Sequence, residues 1–341
     1  MEPSGATVCR APRGLGRLAS RLGAAAGRGS AVLVLHACLP GPPEGPGRSL
    51  HNVTPTDLEA LVRALKATYT FVFVDELFRA RRQRGLAAIT FDDGYKSVVE
   101  HALPVLSSLD VPCTIFVNGA TVDRKVFWRD KVRHVMARGL VERFEATLAG
   151  DPIRRQGPFY RYTKDPRNNG RLIDRRLDEF LGALNEPGPP NECFDDVRYF
   201  RRHRLVSYGS HSFSHYVMAS LSEEDQFEEI DRNERLLRSV AVERSAVFSL
   251  PFGGSRHLNR DTVRLLADRG YTGLVLATGR LNRDIMTMGV PALDRILPVP
   301  CDPPGLPPMT RWLPLACGAI SATLSAVRSS TPLGPGRSAS P

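Results

Sequence analysis

The sequence predicts an α/β fold built on a mainly parallel sheet, and three observations carry that expectation. Short apolar runs rich in β-formers alternate with segments of helical apolar spacing through most of the chain. The clusters of titratable residues fall just after those runs, at the carboxyl ends where parallel sheets keep their sites. The composition, 42% hydrophobic and 24% charged over 341 residues, is globular; it excludes wholesale disorder and collagen-like or low-complexity sequence.

Taken in order, residues 31–37 (AVLVLHA) read as the first strand. Residues 54–69 read as a helix, with Thr54 as cap, Pro55 at the first position and Leu58, Leu61, Val62 and Leu65 at helical spacing. Residues 71–74 and 86–91 read as strands, the second running into Asp92-Asp93-Gly94. A helix is expected over 97–109 and a strand over 113–117, where Cys113 is a small buried hydrophobe. After a long middle section the alternation resumes. Strands are expected at 205–208, 246–250 and 273–277, with one more at Arg295-Ile296-Leu297, and helices at 222–240 and 259–268.

Residues 124–204 interrupt the rhythm and read as a mostly helical insertion, with helices at 142–149 and 171–184. They carry 19 Lys/Arg and 12 Asp/Glu, 19 − 12 = +7, so most of the chain's excess of +10 lies there. A solvated face is one reading of that charge, and contact with an anionic surface is the other. No aromatic–basic interleaving points to specific nucleic-acid binding.

The ends are expected to differ from the middle. Residues 1–30 hold five Arg and one acid and read as a basic, disordered or loosely helical head. Arg17 and Arg21 break the apolar stretch that a secretory signal would need, which leaves a membrane-surface segment or transit peptide as the sharper alternative. With no export signal visible, the expected location is cytoplasmic, with the cell envelope as the alternative. No apolar run is long enough for a spanning helix. The main domain is expected over 31–300, followed by a C-terminal helix and a disordered tail over 301–341. The six cysteines, Cys9, Cys38, Cys113, Cys193, Cys301 and Cys317, include no C-x-x-C pair and suggest neither a disulfide framework nor a zinc ribbon.

Four places could do chemistry. Asp92 and Asp93 stand side by side after an apolar strand; they would repel unless a cation or a shared proton compensates, although Asp-Gly is also a common turn. His211 and His215 are spaced i, i+4, close enough on one turn to share a metal, although a surface pair has the same spacing. Together, two imidazoles and a carboxylate leave open positions for water and substrate. Ser249-Leu250-Pro251-Phe252-Gly253 reads alone as a strand end and turn. His36 ends the first strand, where a satisfied core histidine is the plainer reading.

In this order the clusters resemble the polysaccharide deacetylase family, the NodB-homology domains. Thr90–Gly94 matches T-F-D-D-G, His211–His215 matches H-[ST]-x-x-H, and Pro251-Phe252-Gly253 matches the Pro-aromatic-Gly strand end. Residues 53–77 look like the branch that includes the poly-N-acetylglucosamine deacetylases, and Phe127-Trp128 resembles members with a helical insertion. The resemblance spans roughly residues 31–298. It implies a partly closed (β/α)7-type barrel that hydrolyses N-acetyl groups of a polysaccharide or glycan precursor. It also implies a divalent metal, Zn²⁺ first and Co²⁺ or Ni²⁺ as alternatives, held by Asp93, His211 and His215. Asp92 would be the base and His36 the acid. Tyr95, through its backbone N–H, and Pro251, Phe252 and Arg295 would meet the substrate.

The sequence departs from the family pattern at Leu35, where a tyrosine is usual, and at Leu250, where an arginine or tyrosine is usual. The Asp/Trp fourth motif is not visible. Arg295, in a late L-x-R-I element, is the candidate to replace the missing arginine. Hydrolysis of a small or lipid-linked substrate, or a degenerate glycan-binding domain, remain as alternatives.

Overall fold

The computed structural model describes residues 13–41, 51–184 and 188–298. The expected C-terminal helix and tail lie outside the described residues, as do Cys9, Cys301 and Cys317. Nine strands form one sheet: β1 (Ala31–Leu35), β2 (Thr70–Phe71), β3 (Leu86–Phe91), β4 (Cys113–Val117), β5 (Val206–Ser210), β6 (Arg244–Ser249), β7 (Gly273–Val275), β8 (Met286–Thr287) and β9 (Pro291–Leu293). Their order is β1-β3-β4-β5-β6-β7-β9-β8, with β2 added beside β3. Every pairing is parallel except the short β8–β9 hairpin.

The sheet curls until its ends nearly meet. Beyond β9 the chain pairs with β1: Val34 N donates to Ile296 O (3.0 Å) and Ile296 N donates to Val32 O (2.8 Å). This is the expected partly closed (β/α) barrel, with β1, β3, β4, β5, β6, β7 and β9 as its parallel staves. Strands buried on both faces read as unbroken apolar runs, as AVLVL and CTIFV do.

Helices wrap the outside. Of the two readings of the head, disordered or loosely helical, the helical one holds between Arg13 and Ala25, where α1 forms. Leu15, Leu18 and Leu22 recur every three or four residues and are buried, while Arg17 and Arg21 stay exposed. The head is tied to the barrel by Tyr69, whose hydroxyl donates to Leu22 O (2.8 Å). Helix α2 (Pro55–Lys66) starts as expected, with the Thr54 hydroxyl accepting from Asp57 N.

The expected strand at 71–74 is corrected as well. β2 ends at Phe71 and α3 (Val74–Arg79) follows, because the Glu76 carboxylate accepts from Phe73 N (3.0 Å) and starts a helix there. The helix expected over 97–109 divides into a π-turn at Val98–Ala102 and α4 (Leu103–Ser108).

Between β4 and β5 come α5 (Gly119–Val122), α6 (Trp128–Ala137), α7 (Val141–Thr147), α8 (Phe159–Tyr162) and α9 (Gly170–Ala183). No strand forms in the described part of this section and its longer elements are helices, as expected, although α6 has no counterpart among the helices expected there. Helices α10 (Glu223–Ser239) and α11 (Arg260–Asp268) complete the ring, capped by Ser222 and Asn259. No helix of the described residues is long and apolar enough to cross a membrane.

One glycine sets how closely the staves approach. A Cβ on Gly209 of β5 would lie 2.4 Å from the ring of Phe116, which is fully buried. Gly209→Ala is therefore expected to lower stability by about 1–3 kcal/mol, the usual cost of overpacking a core. Urea denaturation measures it, and a loss below about 0.5 kcal/mol, the range of neutral surface substitutions, would mean that Phe116 has room to turn aside.

Candidate active site

The titratable clusters meet at the carboxyl ends of the staves. Asp92 and Asp93 follow β3, His211 and His215 follow β5, Ser249 ends β6, and Arg295 lies just beyond β9. Asp93, Ser212, His215 and Phe252 all have positive φ (68°, 60°, 60° and 63°). Non-glycine residues enter that region at a cost of order 1–3 kcal/mol each, and such strain gathers at functional sites.

The 211–215 loop is held from several sides. Asn118 Nδ2 donates to the carbonyls of His211 and Ser212, Trp128 Nε1 donates to His215 O (3.0 Å), and the Glu229 carboxylate accepts from Ser214 N (2.6 Å). This bracing holds the two imidazoles against Asp93. His211 Nε2 lies 3.5 Å and His215 Nε2 3.4 Å from Asp93 Oδ1. His211 Nδ1 lies 2.8 Å from Ser249 O; a carbonyl only accepts, so the proton sits on Nδ1 and the Nε2 lone pair faces Asp93.

Asp93 Oδ1 is buried without a hydrogen-bond partner. Burial and the neighbouring Asp92 push the Asp93 carboxyl well above its ordinary range. Burial also holds His215 and His211 below theirs, as neutral imidazoles. An orphaned carboxylate oxygen and two neutral imidazole nitrogens within 4.8 Å of one another suit a divalent cation. The N₂O donor set, with open positions left over, fits Zn²⁺ and does not exclude its neighbours in the transition series.

Asp92 is held differently. Arg295 Nη1 and Nη2 donate to its two carboxylate oxygens (2.7 and 2.8 Å), and the Ser249 hydroxyl donates to Oδ1 (3.0 Å). Burial alone would raise the Asp92 pKa, but Arg295 holds it well below the usual carboxylate range, so Asp92 is ionised. Its Oδ2 lies 3.7 Å from His211 Nε2, beside the cation site.

The expectation that Arg295 meets substrate is corrected. The side chain is fully buried, and its donors are spent on Asp92, Ser249, Thr90 and Leu276 O. Its paired bonds position Asp92. Tyr95 is also buried, its hydroxyl accepting from Arg133 Nη1 (3.3 Å), so only its backbone could face a ligand. Pro251 is buried, while Phe252 is half-buried with its ring 4.6 Å from that of His215.

His36 lies at the end of β1 within electrostatic reach of Asp92 and His211. Burial takes its imidazole down to about 4, although the Asp92 carboxylate pulls the other way. Its ring stands 5.0 Å from that of His51, a neighbour no motif announced. The reading of the insertion's charge as a solvated face also fails for α6, where Arg129, Asp130, Lys131 and Arg133 are 2%, 8%, 5% and 5% exposed. Their i, i+4 spacing in WRDKVR was the available signal for the two arginines.

The family model for polysaccharide deacetylase matches residues 79–145 and 187–274 of this chain. No curated protein matches it in sequence. Among solved structures, a Streptococcus pyogenes deacetylase, PplD, in complex with acetate is similar at 16% identity and a TM-score of 0.47, over 79% of this chain and 93% of that one. IcaB from Ammonifex degensii is similar at 18% identity and a TM-score of 0.45, over 80% and 92%. A de-N-acetylase from Aggregatibacter actinomycetemcomitans is similar at 12% identity and a TM-score of 0.47, over 79% and 94%.

Proposed function

We propose, from the match of residues 79–145 and 187–274 to the polysaccharide deacetylase model, that this chain is a member of that family and a metal-dependent hydrolase that removes N-acetyl groups from a glycan. The observation that carries the reading is the convergence of Asp93, His211 and His215 beside an ionised, doubly clamped Asp92. A divalent cation held by the three would polarise an acyl oxygen and make a water more acidic.

The remaining work falls to the chain's own residues. Asp92, oriented by Arg295 and Ser249, takes the proton of the attacking water. Arg295 makes it a weak base, so its contribution is chiefly placement. His36 holds the acid's place. It enters the cycle neutral and is charged by the proton that Asp92 has taken up, then passes it to the departing amine. The backbone N–H of Tyr95 would donate to the oxyanion.

The test is acetate release from an acetylated chitooligosaccharide or exopolysaccharide by zinc-loaded protein. Asp92→Asn keeps the side-chain volume but gives up one of the two bonds from Arg295, so a thermal melt accompanies the assay; the variant is expected to retain metal while losing about 10²- to 10⁴-fold in turnover, the range for removing a positioned base. Metal content by elemental analysis and acetate by coupled assay read the two separately. An Asp92→Asn protein that turned over at the wild-type rate would remove Asp92 from the role.

A further inference from the structure

Beside the cation site the insertion contributes a second cluster that the deacetylation chemistry does not use. The Arg129 guanidinium lies over the rings of Trp128 (4.6 Å), Tyr160 (4.7 Å) and Phe252 (5.5 Å). Its Nη1 donates to the Thr163 hydroxyl, while Nη2 is buried with no partner. One turn on, Arg133 Nη1 reaches Tyr95 and Asp130, but its Nε is also buried and unpartnered. Lys164 Nζ lies 4.5 Å from the centre of the Tyr160 ring. Among the described residues, neither Arg129 nor Lys164 has a carboxylate within ion-pair distance, and Asp130 pairs with Arg133 at 2.6 Å.

Three cations therefore share one contacting carboxylate, an excess of two charges. Buried guanidinium N–H groups without acceptors are costly. Tyr160 feels the same field: burial would raise its hydroxyl, yet Arg129, Lys164 and Arg133 bring it down to about 8. The cluster adjoins the cation site through Phe252, whose ring contacts both Arg129 and His215 (4.6 Å).

We propose that Arg129, Arg133 and Lys164 form a phosphate subsite, and that the substrate is an acetylated sugar carrying a phosphate monoester. A phosphate brings a charge near −2 and three acceptor oxygens, which match the excess of two and the forked donors of two guanidinium groups. This deepens the deacetylase reading and rests on it for the position of the acetamide at the cation site.

The experiment compares kcat/KM of the zinc-loaded protein on N-acetylglucosamine 1-phosphate and on a neutral chitooligosaccharide. The phosphorylated sugar is expected to be preferred by about tenfold or more, and the preference to fall about tenfold in Lys164→Met and in Arg129→Lys, which keeps the charge but loses the fork. Calorimetric titration of inorganic phosphate into the zinc-loaded proteins is the second readout. Binding is expected to weaken about tenfold in Lys164→Met at unchanged zinc content.

A wild-type protein that treats both sugars alike, or prefers the neutral one, overturns the subsite and leaves the deacetylase reading standing. Should neither sugar be deacetylated, that reading fails, and the phosphate titration decides the subsite by itself: equal binding in wild type and Lys164→Met overturns it. Thermal melts of both variants establish that they fold.

Discussion

Arg295→Met is expected to cost the fold about 3–5 kcal/mol at neutral pH, the usual penalty for stranding one partner of a buried ion pair. Asp92 is 3% exposed and Arg295 fully buried, so the two guanidinium hydrogen bonds are shielded from bulk water. The Ser249 hydroxyl would remain on Oδ1 as the sole side-chain donor to the carboxylate.

The loss should also depend on pH, with a sign that follows from the direction of the shift. In the wild type the Asp92 pKa lies below its unfolded value of about 3.9, so the clamp's stability is present above that pH and is lost as pH falls toward the folded value. In Arg295→Met burial acts without the arginine, the folded pKa rises above the unfolded one, and the variant recovers as pH falls and Asp92 is protonated. The gap between the two proteins should therefore be widest near pH 7 and narrow toward pH 4.5. Asp92→Asn added to Arg295→Met should restore part of the loss, because it removes the unpaired charge. Denaturant midpoints at the two pH values measure both effects. A gap that does not change with pH would mean that Arg295 acts by volume rather than charge.

Much of this site was legible because its key residues are local in sequence. Asp92-Asp93 follow the clear apolar run of β3 and the 211–215 loop follows the short 205–208 pattern, so each strand end and its chemistry are read together. Arg295 could be suspected but not placed, because its bond to Asp92 spans 203 residues and exists only once the barrel curls.

The same kind of separation hid the rest. Arg17 and Arg21 look like interruptions of an apolar run until the run is wound as a helix, when they fall on the outer face of α1. Arg129 and Arg133 look like solvated charge until Trp128, Tyr95 and Tyr160 close over them. Charge counted along the chain carries no burial, and burial decides what each charge does. The strand at 71–74 was over-read for the opposite reason: Phe-Val-Phe-Val favours a strand, but the capping carboxylate of Glu76 wins locally.

Asp93→Ala combined with His211→Ala is expected to abolish bound metal and acetate release together, since it leaves one of the three donor groups. Activity alone cannot show that the loss acts through the cation, but stability can. In metal-free wild type, Asp93 is a buried carboxyl with its pKa raised, so it costs stability above its unfolded value. Asp93→Asn tolerates the same positive φ and removes that cost. With metal chelated, Asp93→Asn should therefore melt above the wild type. With zinc present the order should reverse, because a cation at a hundred times its Kd adds about 2.7 kcal/mol to a protein that binds it. The double variant should show no shift with zinc at all. Elemental analysis and melting curves with and without chelator provide every comparison. If the order of wild type and Asp93→Asn stays the same in both conditions, or the double variant keeps its metal, Asp93 and the two imidazoles do not share a cation.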